Sequence, residues 1–458
     1  LAEQQQPEEI QMIELENRAA LSAEFQALAD NILQSAATKG ATAAEVSIEK
    51  GTGLSVEVRM GEVEKLQYHR DQGASLTVYF GHKKGFASSG DLSPQALQDT
   101  LDAACRIARY TAEDEFNGLA GAELMAADIP ELDLYHPWAL NADQGIELAL
   151  QAETIAREQD TRIINSDGAG VDSYAGLGIY ANSHGFRGVS SSTRHSLSCS
   201  LVAQEGDSMQ RDYWYSTSCV PDQLESAEAI GLQAAERTVR RLHGRSLSTR
   251  EVPVLFVPEL ARGLIGHLVG ALGGGAQYRK ASFLLDSAGQ QAFPAFIQLQ
   301  ERPHLKRALG SRAYDSEGVA TTDRDIVLDG KIQDYFLSSY SARKLGRQTT
   351  GSAGGSGNLL LADTGVSAQE ILAQMGTGLM VTELIGHGIN SITGDYSRGA
   401  AGFWVENGEI LYPVEEITIA GNLKDMFMAI QAVGNDVDRR GRIQAGSVLV
   451  GKMMVAGQ

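Results

Sequence analysis

Cysteine is scarce: Cys105, Cys199 and Cys219 are the only three in 458 residues, with no C-x-x-C spacing. An odd, unclustered set argues against a disulfide scaffold or a Cys-built zinc site and fits a reducing compartment, so a cytoplasmic location is expected. Positive charge is also short, with 38 Lys and Arg against 58 Asp and Glu, a formal charge of −20. Such a balance repels phosphate backbones and disfavours direct nucleic-acid contact. No apolar run approaches the roughly 20 residues that span a bilayer, so no membrane role is expected. No signal-peptide pattern is expected at the start either. What is present is a 43% hydrophobic fraction, typical of globular chains, and a length that allows roughly two or three domains.

Periodicity changes along the chain. An acidic start (Glu3, Glu8, Glu9, Glu14, Glu16) precedes a helical stripe of Leu21, Phe25, Leu28 and Ile32, with Gly40 as its stop. Glu45–Glu49, Leu54–Met60, Glu62–His69, Ser75–Phe80 and Gly85–Ser89 alternate as short strands punctuated by glycines. Helices are expected over Pro94–Tyr110, Asp143–Asp160, Gln223–Leu242, Pro258–Leu272 and Gly421–Gly434. Strands are expected at Ile163–Asn165, Ser173–Asn182 and Arg187–Ala203. Asp329-Gly330 and Asn407-Gly408 suit the tight turns of hairpins. The pattern predicts an α+β fold of two domains with antiparallel, hairpin-rich sheets and packed helices. The divisions expected are residues 1–20 as an acidic extension, 21–247 as an N-terminal domain and 248–458 as a C-terminal one. The Gly351–Asn358 run (GSAGGSGN) suits a mobile loop.

Familiar chemical motifs fail on their own mechanics. Gly176-x-Gly178-x-x-Ala181 lies between strands, whereas a dinucleotide fingerprint must open a helix. Gly346 to Gly351 has phosphate-loop spacing, but Ser352 stands where a lysine must reach phosphate. Asp323, Asp325 and Asp329 run into a hairpin and read as a solvated turn rather than a calcium loop. The basic cluster Arg237, Arg240, Arg241 and Arg245 suits the negative end of its helix. None of the nine histidines forms an H-x-x-x-H pair, and Ala271 is the i+4 neighbour of His267. There is no G-x-S-x-G elbow, and the Trp214–Cys219 segment reads as strand and core. The densest polar constellation is Thr393–Gly399 (TGDYSRG), which places Asp395, Tyr396 and Arg398 between glycines. It reads either as a ligand-facing loop or as a loop braced by an internal Asp–Arg pair. His387, between two glycines, reads either as a ligand contact or as a turn marker.

Longer segments carry a resemblance. VTELIGHG at 381–388, TGDYSRGAAGFWVENGE at 393–409, PVEEITIAGNLKD at 413–425, GLIGHLVGA at 263–271 and YRKASFLLD at 278–286 resemble the PmbA/TldE family. The likeness extends through most of the chain and is strongest from about Val252 onward. It implies a subunit of the TldD/TldE peptidase, a cytoplasmic, zinc-dependent bacterial protease that processes or degrades unfolded peptides, including a peptide-antibiotic precursor. The TldD-type subunit carries His-Glu-x-x-x-His on a helix matching Pro258–Leu272, plus a later cysteine. Here those helix positions are Gly266, His267 and Ala271, and no cysteine lies near Thr393–Gly399. The resemblance therefore implies the TldE-type subunit of a heterodimer: no cofactor in this chain, zinc in the TldD-type partner, and peptides as substrates. It implies no catalytic residue here, and it points to His387, Asp395, Tyr396, Arg398 and the Gly351–Asn358 run as the substrate-binding surface. Ser356 departs from a histidine common in the family at that run. The rival expectations are a stand-alone metallopeptidase and a regulatory protein modulating DNA gyrase. A homodimer is possible for the isolated chain.

Overall fold

The computed structural model describes residues 15–457. Of the expected acidic extension, residues 1–14 lie outside the described residues, and the remainder opens the first helix. Two compact units form. One holds the chain up to Met125 with Asp133–Val202 and Arg211–Arg237; the other holds Ala126–Leu132, Ala203–Gln210 and Thr238 onward.

The first unit contains α1 (Leu15–Thr38), β1 (Ala43–Arg59), β2 (Glu62–Phe80), β3 (Lys83–Ser89) and α2 (Pro94–Tyr110). After them come α3 (Ala142–Glu158), β4 (Ile163–Asn182), β5 (Arg187–Glu205), β6 (Ser208–Ser218) and α4 (Ala227–Val239). Its six-stranded sheet has the order β3-β2-β1-β4-β5-β6. Alternate residues Val46, Ile48, Leu76, Val78, Leu177 and Ile179 meet the apolar stripes of α1 and α2 in one core. Gly40, at φ +84°, ends α1 as expected.

The strands are longer than the glycine punctuation suggested. Gly51, Gly53 and Gly73 are internal strand positions in continuous ladders. At Gly51 and Gly53 the role is close approach: a Cβ at Gly51 would lie 1.8 Å from Tyr174 Oη, because that ring crosses the sheet there. Ile163–Asn165 and Ser173–Asn182 likewise fuse into β4, so Gly176 and Gly178 pair with Gly51 and Glu49 inside a strand. The expected Gln223–Leu242 helix is shorter, because Pro221–Gln223 forms a separate 3₁₀ turn.

The second unit contains β7 (Arg250–Phe256), α5 (Pro258–Leu272), α6 (Gly274–Tyr278), β8 (Leu299–Glu301), β9 (Arg324–Leu328), β10 (Lys331–Ile332), α7 (Ser339–Lys344) and β11 (Leu359–Leu361). It continues with α8 (Ala368–Met375), β12 (Gly378–Ile385), β13 (Asp395–Glu406), β14 (Glu409–Asn422), α9 (Leu423–Met428), β15 (Ile430–Val433), β16 (Ile443–Gln444) and β17 (Val448–Ala456). One sheet has the order β14-β13-β12-β7-β17-β15, the other β10-β9-β8-β11-β16. Most pairings are antiparallel; β7–β12 and β11–β16 are parallel. Asp329-Gly330 and Asn407-Gly408 adopt positive φ at both positions and close their hairpins. The architecture is α+β.

The expected Gly421–Gly434 helix is corrected. Gly421 and Asn422 finish β14, only Leu423–Met428 are helical, and Ile430–Val433 form a strand on β17. Pairing with an available sheet edge overrides the helical spacing of the apolar residues.

One buried charge secures the first hairpin of the first unit. Glu153 on α3 is wholly buried and accepts from Met60 N at 2.8 Å and Gly61 N at 2.7 Å, the two residues of the β1–β2 turn. Replacing Glu153 by alanine removes the charged acceptor of both donors. We expect Glu153→Ala to lower the unfolding free energy of this unit by about 2–4 kcal/mol, read from urea unfolding followed by circular dichroism.

Candidate functional site

Helix α5 organises the second unit. Pro258 stands at its first turn, where no backbone donor is lost. Ala261, Leu264, Ile265, Leu268, Ala271 and Leu272 are buried on its core face, and His267 lies half-buried beside that stripe. The His267 ring meets Tyr396 edge-on at 6.1 Å between centroids. Burial, then the Arg398 charge, holds the His267 imidazole below its ordinary range.

Strand β13 sorts three of the four sequence-named residues by its period of two. Tyr396 is buried, and Arg398, two residues on, shares its face. Burial pushes the Tyr396 phenol up to about 12, and the Arg398 guanidinium offsets part of that shift. Its approach is not in line, however: Tyr396 Oη and Arg398 Nε are buried without a hydrogen-bond partner. Arg398 Nη2 donates to Leu384 O at 3.3 Å. Asp395 goes the other way. It is exposed, accepts from Thr393 Oγ1 at 2.6 Å and Asn422 Nδ2 at 3.2 Å, and its carboxyl is held low by those bonds. The internal Asp395–Arg398 pair, one of the two readings of this segment, is therefore absent. His387 sits exposed after β12, its carbonyl accepting from Ile389 N at 2.8 Å. Tyr396, Arg398 and His267 come together; among the described residues no side-chain hydrogen bond, ion pair or ring contact joins Asp395 or His387 to them.

The Gly351–Asn358 run is mostly buried and tied down, unlike the mobile loop expected. Arg312 donates to the carbonyls of Ala353 at 3.2 Å and Gly351 at 3.4 Å, and also to that of Gly355. Asp315 accepts from Ala353 N at 2.9 Å, Glu301 from Gly357 N at 2.6 Å, and Arg324 bonds both Glu301 and Ser352 Oγ. Sequence reasoning missed Arg312, Asp315, Glu301 and Arg324, since they share no local motif and meet only in the fold. With Gly273–Gly275, Tyr278 and Tyr340, the run walls a cavity of about 400 Å³ at the C-terminal end of α5. Tyr278 and Tyr340 meet edge-on at 5.8 Å, with Arg279 and Lys344 over their respective faces.

The remaining sequence candidates are spent on structure. Arg237 pairs with Asp212 and Arg241 with Glu383, while Arg240 and Arg245 cover Phe403 and Tyr412. Asp323 and Asp325 face Arg302. All three cysteines are buried and in no disulfide, and burial pushes the Cys199 thiol up to about 12. A divalent cation does not suit the α5 face: His267 has a guanidinium for a neighbour, and no three His, Cys, Asp or Glu groups converge among the described residues.

Models of the PmbA/TldA metallopeptidase match three segments: domain 1 at residues 44–108, the central domain at 135–242 and the C-terminal domain at 249–457. The chain is 52% identical to Metalloprotease PmbA of Escherichia coli O157:H7, covering 91% of this chain and 92% of that one. Among solved structures, a candidate modulator of DNA gyrase from Bacteroides thetaiotaomicron superposes with TM-score 0.90 at 30% identity, over 98% of this chain and all (100%) of that one. TldE from Thermococcus kodakarensis shares the fold, with TM-score 0.83 at 17% identity over 94% of this chain and 100% of that one.

The brace on the glycine run makes a pH prediction. Burial, first among its causes, lifts Asp315 from 3.8 to about 6, against the pull of its backbone donors. The folded state thus binds the proton more tightly than the unfolded chain. That stabilisation is complete below about pH 4 and is lost as pH rises through about 6. Relative to Asp315→Asn, the natural chain should lose about 3 kcal/mol between pH 4 and 7, measured by denaturant unfolding across that range.

Proposed function

Because the chain belongs to the PmbA/TldD metallopeptidase family, we propose that it is the TldE-type subunit of a zinc-dependent peptidase. In this reading it binds unfolded peptides while a TldD-type partner supplies the metal. The observation that carries the assignment is the α5 face, where His267 stands against Tyr396 and Arg398. A guanidinium repels a metal dication but attracts the carboxylates and carbonyls of a peptide. The zinc, when held by the partner, would activate water and polarise the scissile carbonyl. This chain would hold the extended substrate through main-chain pairing and through the Tyr396–Arg398 face. The 400 Å³ cavity, with its tyrosines and glycine walls, has the size and lining for a substrate side chain. No described helix is long and apolar enough to cross a membrane.

A gyrase-directed role is the second reading, favoured by the description of the Bacteroides thetaiotaomicron structure. The charge of −20 makes a protein contact its easier form.

Metal analysis and peptide hydrolysis test the proposal, on this chain alone and mixed with a TldD-type subunit. The expected result is stoichiometric zinc and chelator-sensitive cleavage in the mixture only. Stoichiometric zinc with chelator-sensitive cleavage by the isolated chain would overturn it. Gyrase capture without any effect on peptide cleavage would favour the second reading.

A further inference from the structure

Buried charges and buried polar atoms in folded proteins have partners, and those that lack them point to something missing. Arg398 is half-buried, and its Nε is buried without a partner in a chain rich in acids. Among the described residues no carboxylate pairs with it; it donates to the carbonyl of Leu384 and lies against the Tyr396 phenol. The nearest acidic neighbours in sequence are committed elsewhere, Asp395 to Thr393 and Asn422, and Glu383 to Arg241. Beside it, Tyr396 is only 2% exposed and its hydroxyl also lacks a partner. The guanidinium and the phenol thus lie side by side on one face of β13, and no carboxylate stands with them.

We infer that Arg398 and Tyr396, with His267 at the edge of the phenol ring, form a receptor for a carboxylate of the bound peptide. A carboxylate fits both donors because it accepts several hydrogen bonds at once and supplies the charge that the arginine lacks. A neutral carbonyl would satisfy the hydrogen bonds but leave the cation uncompensated. Access lies along the end of β12, where Ile385, Gly386 and His387 are exposed and Leu384 O holds one arm of the guanidinium. The negative ends that a peptide offers are its C-terminus and its acidic side chains. The C-terminus is favoured here because a single arginine and a single phenol match one terminal carboxylate without further specificity contacts. This inference rests on the peptide-binding reading above and adds the group that is recognised.

The test uses the full chain and N-terminally fluorescein-labelled nonapeptides of alanine, serine and leucine. One has a free C-terminus, one a C-terminal amide, and one an amide with an internal glutamate. Fluorescence anisotropy should show the free acid binding about tenfold or more tighter than the amide, the scale of a charge-assisted hydrogen bond. Arg398→Gln should erase the difference, Arg398→Lys should retain part of it, and Tyr396→Phe should weaken acid binding several-fold. A purely structural arginine would reveal itself in the melting temperature; as a receptor, Arg398→Gln should melt no lower than the natural chain. Tight binding of the glutamate amide would support the receptor and assign the carboxylate to a side chain. Equal binding of acid and amide, or a difference that survives Arg398→Gln, would overturn it. Failure of every peptide to bind would overturn it too. Zinc-dependent cleavage by the assembled complex that ignores the terminal charge would sink the receptor alone, leaving the peptidase reading in place.

Discussion

A glycine-rich segment becomes a wall only when its backbone groups are held. Gly351, Gly354 and Gly355 adopt positive φ, and each glycine loses more freedom on ordering than any other residue. The second unit meets this cost with ionised groups rather than with a sheet. Arg312 collects carbonyls, Asp315 and Glu301 collect N–H groups, and Arg324 ties Glu301 to Ser352. Because these charges bond backbone and one another together, none is left alone in a low-dielectric interior. The cavity at the end of α5 exists on these terms. Loosening the brace would let the run relax into the space it encloses.

The other half of the site depends on a geometric rule rather than on a network. Along β13 the residues alternate faces, so the polar cluster that looks continuous in sequence is divided in space. Asp395 serves the loop, pinned by Thr393 and Asn422. Tyr396 and Arg398 turn inward toward α5. The same alternation keeps the exposed carboxylate from neutralising the guanidinium, which a loop of free conformation would have allowed.

How much of this was legible in the sequence follows from the range of the forces involved. Pro258–Leu272 and Pro94–Tyr110 emerge as read, because proline entry and apolar spacing act within the helix itself. The hairpins at Asp329-Gly330 and Asn407-Gly408 emerge for the same local reason. Gly51 and Gly53 misled because their role is set by Tyr174, more than a hundred residues away, and not by a turn. Ile430–Val433 misled because β17 supplies an edge that local spacing does not reveal. In the site, the resemblance picked out Tyr396 and Arg398, but their union with His267 and the charged brace under the glycine run needed the fold.

Arg398 gives the acidic composition a local meaning. With 58 carboxylates in the chain, the half-buried Arg398 still meets none among the described residues. Arg237, Arg241, Arg302, Arg324 and Arg440 all face acids. Arg312 and Arg398 differ from these, each with a buried Nε that has no partner; Arg312 is bonded to the carbonyls of the glycine run, whereas Arg398 has only that of Leu384. Such a cost is retained where it can be relieved by what binds. An acidic surface would also repel a peptide carboxylate at long range, but screening confines that repulsion to about 10 Å at moderate salt. Within the half-buried face of β13, screening is weaker and the nearest fixed charge is the guanidinium, so the local attraction wins.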